Sequence, residues 1–301
     1  MECKTFPDRK RVVRQAVVDK EMSNSMRNAV KVQQTARFSP WIAITDLVDG
    51  AARVPLWVAF ASDEIQQRYR RSKLGLTWIV FSYLIFVGTI SLFFGSFSDL
   101  NHQKFTLYVA VNFAIFMFLL ANLTDGCAVF RTAASWIKSA PLPHSIHLFK
   151  SVSRSVFIFA INFAIAIALL FLYGHKLTWV ALEAIPAFAL ILFNSIFIQM
   201  ILGYISARYP DIEHLMMSIT RVLFFTTPVL WVRDEHSAPG LRNTVAEFNP
   251  LTHALEIFSS PILGQHGDPR SWVIMLWLSL AVFVIGIFVA GACHRRLPYW
   301  L

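Results

Sequence analysis

Five stretches of the chain contain no Asp, Glu, Lys or Arg: residues 74–98 (25 residues), 105–124 (20), 155–175 (21), 184–207 (24) and 271–294 (24). A helix rises about 1.5 Å per residue, so each is long enough to cross the ~30 Å hydrocarbon core of a bilayer. A sixth stretch, 210–232, is also long enough but carries Arg221 in its middle and Pro228 near its end, and is expected to span with an irregularity. With their flanks, six transmembrane helices are predicted at about 74–98, 105–124, 153–175, 180–207, 210–232 and 271–294. The expected fold class is an all-α polytopic membrane protein, with residues 39–301 forming the transmembrane domain and 1–38 a flexible cytoplasmic tail.

The segments between these stretches carry further pattern. Residues 55–73 place Leu56, Trp57, Phe60, Ile65 and Tyr69 against Asp63, Glu64, Gln66, Gln67 and Arg68, as in a helix lying in the membrane interface, with Pro55 in its first turn. Arg68, Arg70, Arg71 and Lys73 follow at phosphate-head-group level, either as a topological anchor or as a docking surface for a cytoplasmic partner. Residues 130–140 predict a short helix with Phe130, Ala133, Ala134 and Ile137 on one side, ended by Pro141 and Pro143. Such a helix fits a partner's groove or lies against the membrane. In the fifth span Pro210 fits a first helical position and Asp211 and Glu213 complement the positive helix end. Arg221 is costly facing lipid, so it faces protein or a water-filled path, or snorkels to the interface. After Trp231 the segment 249–264 opens on Asn249 and Pro250, predicts a helix too short to cross, and reads as re-entrant or interfacial, a candidate lid.

Composition then separates apolar excess from charge. The chain is 56% hydrophobic and 15% charged, with 27 Phe and 9 Trp, which excludes an ordinary water-soluble globule. Its net charge of +9 is distributed asymmetrically: 21 Lys and Arg fall on the side of residues 1–73, 125–154, 208 and 295–296, and 5 on the other. By the positive-inside bias both termini are expected in the cytoplasm. The first 40 residues lack the apolar core and cleavage site of a secretory signal peptide, so the first span is expected to direct insertion. The positive excess serves orientation and contact with lipid head groups, and no motif of a nucleic-acid-binding module accompanies it. Cys3, Cys127 and Cys293 are far apart, and the nine histidines form no metal-ligand spacing, so no metal site is expected. No phosphate-binding loop is present, so the chain itself is no P-loop ATPase.

Four separated motifs carry a family resemblance: RYRRSKLGLTW (68–78), RYPDIEHLM with FFTTPVLW (208–231), NPLTHALEIF (249–258) and RRLPYWL (295–301). In this order the chain resembles the membrane subunit of ABC-2 type polysaccharide exporters, nearest to the O-antigen permeases, with teichoic acid and capsule permeases as relatives. The resemblance covers roughly residues 40–301. It implies a homodimer of six-span subunits in the bacterial inner membrane, bound to two copies of a separate ABC ATPase and moving a lipid-linked polysaccharide to the periplasm. It implies no catalytic residue and no cofactor in this chain, with ATP and Mg held by the partner ATPase. Carried over, Arg68, Arg70, Arg71, Lys73, Phe130, Trp136 and Ile137 become ATPase-coupling candidates, and Asn249, Pro250, His253 and Phe258 periplasmic gate candidates. The chain departs from the family in its longer start and in Leu142 before the proline of SAPLPHSIH, where relatives carry an aromatic.

A glycan has polar edges and apolar C–H faces, so aromatic platforms suit a conduit that holds it loosely. Phe116, Phe118, Phe224, Phe225 and Trp231, with Arg221, are candidates for the pore or dimer interface, against the alternative that such aromatics face lipid or mark the interface. Two other functions share parts of this pattern: an ABC-2 exporter of a drug or small lipid, and an integral-membrane sugar transferase, for which the acidic residues are few and form no D-x-D.

Overall fold

The computed structural model describes residues 39–70, 73–97, 100–140, 142–232 and 240–301; the tail 1–38 lies outside them. Among the described residues the regular structure is helical. Two helices precede the first long apolar one: α1 (Pro40–Ala52) and α2 (Val54–Tyr69). Then come α3 (Thr77–Phe94), α4 (His102–Thr132), α5 (Ala134–Ser139), α6 (Ser145–Leu172) and α7 (Ala184–Arg208). The chain finishes with α8 (Asp211–Thr226), α9 (Leu241–Phe248), α10 (Pro250–Ile262), α11 (Pro269–Cys293) and the single turn α12 (Leu297–Trp300). By length and composition five helical segments can cross a membrane: Thr77–Phe94, His102–Ser139, Ser145–Leu172, Trp179–Arg208 and Pro269–Trp300.

The central element is α4, which packs against α6, α7, α8 and α10. Its 31 residues span about 46 Å, more than a hydrocarbon core requires. The helix continues through Asp125 and Arg131 because both charges find partners, Arg154 at 2.7 Å for the first and Glu213 for the second. The predicted separate helix over 130–140 is therefore divided. Phe130 belongs to α4, fully buried against Tyr204 of α7 (ring centroids 4.8 Å apart), and only Ala134–Ser139 forms the short helix α5.

Small residues set how closely α4, α7 and α11 approach. A Cβ added to Gly203 would stand 2.7 Å from Cγ1 of Val129, and one on Gly286 would stand 2.9 Å from the Met200 methyl. Without a hydrophobic driving force between helices in lipid, this close packing is a main source of helix association. Buried polar side chains pair across the same contact: Gln199 Nε2 donates to Asn122 Oδ1 at 2.7 Å.

The stretch predicted at 210–232 forms a 16-residue helix, about 24 Å long, that ends at Thr226. Thr227 is extended (ψ 138°) because a residue preceding proline is pushed out of the α region. The chain beyond it turns inward. Thr227 and Val229 are fully buried, and the Tyr108 hydroxyl of α4 donates to the Pro228 carbonyl at 2.7 Å. Helix α10 begins at Pro250 as the pattern predicts, and packs its Leu255, Ile257, Phe258 and Ile262 among α4, α7 and α11. Gly264, at φ 88°, reverses the chain after it, a conformation that favours glycine.

Candidate coupling and gating site

At one end of the bundle α2 is fastened to the long helices by charge and by aromatic rings. Glu64, one turn before the end of α2, pairs with Lys150 at 2.9 Å and with Arg154, both on α6. Arg154 reaches on to Asp125 of α4 at 2.7 Å, so one buried guanidinium joins three helices. Trp57 lies 6.0 Å from Phe149 of α6, and Phe60 lies 5.5 Å from Trp136 of α5. Four elements whose contacting residues lie up to 92 positions apart in sequence thus form one mechanical unit.

The sequence-predicted coupling residues sort by position. Arg68, Arg70 and Lys73 are exposed at the end of α2, and Arg71 lies outside the described residues. Trp136 is 52% exposed and Ile137 half-buried on α5. Phe130 faces the core and supports α5 from behind, so its side chain presents nothing to a docking partner.

A second cluster, absent from the sequence reading, ties both ends of the described chain together. The Asp46 carboxylate of α1 accepts from the backbone amides of His144 (2.8 Å) and Ser145 (2.9 Å) at the start of α6, and from His294 Nε2 at 3.1 Å. Burial pushes the Asp46 carboxyl up, but the hydrogen bonds and the neighbouring imidazoles outweigh it and hold it below the usual carboxylate range. Burial first, then the His294 charge, lowers His144 to about 4 against the pull of Asp46. The ligand atoms of Asp46, His144 and His294 lie within 4.8 Å of one another, close enough to be considered for a metal. The two rings stack at 4.3 Å and 28°. The geometry is that of a hydrogen-bonded staple.

The aromatic candidates divide between interior and surface. Phe116 and Phe118 are buried within the subunit. Phe118 belongs to a cluster with Phe159, Phe188 and Phe258 at centroid distances of 4.7–5.9 Å. Phe224 sits 5.9 Å from Phe116 and 5.8 Å from Phe86, filling the joint between α8, α4 and α3. Trp231 is half-buried, its indole N–H donating to the Phe225 carbonyl at 3.5 Å. Arg221, Val222 and Phe225 (69% exposed) lie instead on the open face of α8.

At the other end of the bundle the gate candidates are held in place by polar contacts. Asn249 caps α10 by accepting from Leu251 N at 3.0 Å and donates through Nδ2 to Thr227 Oγ1 at 2.8 Å, while Pro250 occupies the exposed first position. His253 is buried, with Nε2 2.9 Å from the Glu247 carbonyl of α9 and Nδ1 2.8 Å from Ser271 Oγ of α11. Phe258 completes the aromatic cluster. A cavity of about 140 Å³ beside α10 is lined by Tyr108, Asn112, Thr252, Glu256, Ser259 and Gln265.

Comparison with known proteins agrees with this architecture. Residues 55–263 match the family model described as ABC-2 type transporter. The chain is similar to the O-antigen export system permease protein RfbA of Klebsiella pneumoniae, at 22% identity over 250 residues, covering 81% of this chain and 92% of the relative. It is similar to the RfbA of Myxococcus xanthus at 20% identity over 238 residues, covering 76% and 91%. The matched region includes α2, the ionic joint, α8 and α10 up to Ile262, and over this extent the chain belongs to the ABC-2 type transporter family of multi-pass membrane transport subunits.

Proposed function

We propose that this chain is the membrane subunit of an ATP-driven exporter that carries a lipid-linked polysaccharide of the O-antigen class across the bacterial inner membrane. It works as a homodimer with two copies of a separate ABC ATPase, both termini in the cytoplasm, and contributes no catalytic residue of its own. The observation that carries the reading is the joint around Arg154. It couples the exposed basic end of α2 and the exposed Trp136 of α5 to α4 and α6, so a push by a cytoplasmic partner reaches the membrane bundle. The names of the similar permeases support the substrate class.

In this reading α8, the inward turn at Pro228 and α10 together serve as the sixth crossing: α8 enters from the cytoplasm and α9 and α10 form the re-entrant periplasmic gate. Arg221 on the open face of α8 meets the second subunit or the conduit, because an arginine turned to lipid at that depth is costly. Phe225 beside it is the aromatic platform, while Phe116, Phe118 and Phe224 stiffen the wall behind. The ATPase subunit should co-purify with this chain, and the purified chain alone should hydrolyse no ATP. Full turnover by the isolated chain would overturn the proposal.

A further inference from the structure

The motif RRLPYWL (295–301) lies where α11 reaches the docking end of the bundle. Helix α11 is 25 residues, about 37 Å long, with no proline after its first position. His294–Arg296 then make a tight turn and α12 follows, with Pro298 at its start. Leu297 is fully buried, in one cluster with Phe130 of α4, Leu148 of α6 and Tyr204 of α7. Ile137 of α5, Trp300 and Leu301 pack against that cluster, and α12 contacts both α5 and α7. The Arg208 guanidinium at the end of α7 lies 5.8 Å from the Trp300 ring centroid, within cation–π range. His294 stacks on His144, five residues past the end of α5, and meets Asp46 at 3.1 Å. Residues 294–301 thus touch α5 and the start of the helix that follows it.

Helix α5 has little of its own to hold it. Its six residues make fewer than two turns, none is buried, and no side chain caps its start. A helix this short is not stable by its backbone hydrogen bonds alone. Its position is set by what it rests on: α4 through Ala133, Phe60 of α2 against Trp136, and residues 294–301. We propose that residues 294–301 form the seat that positions α5, with Leu297 and Trp300 as positioning residues for the docking of the cytoplasmic partner. The seat rests on reading α5 as the docking helix only for what it positions α5 to do. Leu297 and Trp300 act through the cluster behind Ile137, and the partner meets α5. The seat also opens a second path for the push. Helix α11 runs unbroken from residues 294–301 to Ser271, whose Oγ lies 2.8 Å from His253 Nδ1 of α10. A displacement of α5 therefore enters α11 directly, beside the route through Arg154.

Rapid hydrogen exchange of the full chain in lipid nanodiscs tests the seat, read on peptides covering α5, the end of α7, residues 294–301 and the centre of α4. Trp300→Ala should speed exchange of α5 by about tenfold, the loss of one large aromatic contact, while the centre of α4 stays at its wild-type rate as the folding control. Trp300→Phe keeps an aromatic ring on the cluster and should restore most of the protection. Leu297→Ala should free α5 in the same way, and Ile137→Ala should in return speed exchange of residues 294–301. A Trp300 that merely closes the end of α7 would, on replacement by Ala, speed exchange of residues 201–208 and leave α5 unchanged; that result would overturn the seat. Capture of the ATPase subunit in a pull-down should fall with Trp300→Ala and recover with Trp300→Phe, and capture that is unchanged while α5 is freed would also overturn it. The exchange measurement involves neither ATPase nor glycan. Freed α5 in the variant with no ATPase captured by wild type would refute the docking reading and leave the seat standing, and wild-type capture with α5 unmoved in the variant would do the reverse.

Discussion

Removing the Glu64 carboxylate tests the ionic joint at its narrowest point. Two unit charges at the 2.9 Å of the Lys150 pair attract by about 6 kcal/mol at an effective dielectric near 20, and desolvation and side-chain ordering offset most of that. The Glu64 side chain is 31% exposed and that of Arg154 10%, between the exposed pairs that contribute about 0–1 kcal/mol and the buried ones that cost about 3–5 kcal/mol to break. The expected coupling between Glu64→Gln and Arg154→Met in a double-mutant cycle is therefore about 2 kcal/mol, equivalent to roughly thirtyfold in the opening of α2. Hydrogen exchange of α2 peptides in the four proteins of the cycle reads that opening directly. Because Arg154 keeps Asp125 in the Glu64 variant, the cycle separates the α2 contact from the contact within the bundle. A coupling below about 0.5 kcal/mol would show that the Glu64–Arg154 contact does not hold α2, and the ionic transmission argued through Arg154 would fail.

Replacing Trp136 and Ile137 together by Asp should abolish capture of the ATPase subunit in a pull-down while the chain still inserts; retained capture removes α5 from the docking role. Arg221→Leu should leave membrane insertion intact and impair export, and wild-type export from the variant would place that guanidinium at the interface instead. Gly203→Val sets a branched side chain where 2.7 Å separates the added Cβ from Val129, and should destabilise the α4–α7 contact by about 1–3 kcal/mol, seen as lower thermal stability in detergent. The Asp46 staple should weaken in acid. His144 is neutral in the folded protein with its pKa lowered to about 4 from 6.5, so stability is lost as pH falls from about 6.5 toward about 4, and Asp46, held below its ordinary value, extends the loss to lower pH. Accessibility of a cysteine introduced at Ser39 would report it, and an acid-independent response would contradict the assignment.

The five uninterrupted apolar stretches were legible because lipid leaves charged residues no other place, and each corresponds to a long helix. Helix ends were not legible from charge. Asp125 read as the end of a span and Arg131 as part of a separate short helix, yet both lie inside α4 because their partners sit on neighbouring helices. The stretch 210–232 was expected to span with an irregularity, but its helix ends at Thr226, and α9 escaped notice because LRNTVAEF, at eight residues, is too short a window to establish a period. A helix before the first span was legible to within one residue of its start, but α1 before it was not. The Asp46 staple joins residues 98 and 248 positions apart, a juxtaposition that a one-dimensional pattern does not encode. The aromatic candidates divide for a physical reason: Phe in a membrane protein fills the interior as readily as it lines a path, and only the exposed face of α8 separates Phe225 from Phe116.

The central claim is export, and the most direct measurement is the location of the polymer in cells lacking this chain. The account predicts that a lipid-linked polysaccharide accumulates on the cytoplasmic side of the inner membrane and disappears from the cell surface, and that wild-type chain restores it. Surface polysaccharide at its normal level, with none retained inside, would contradict it.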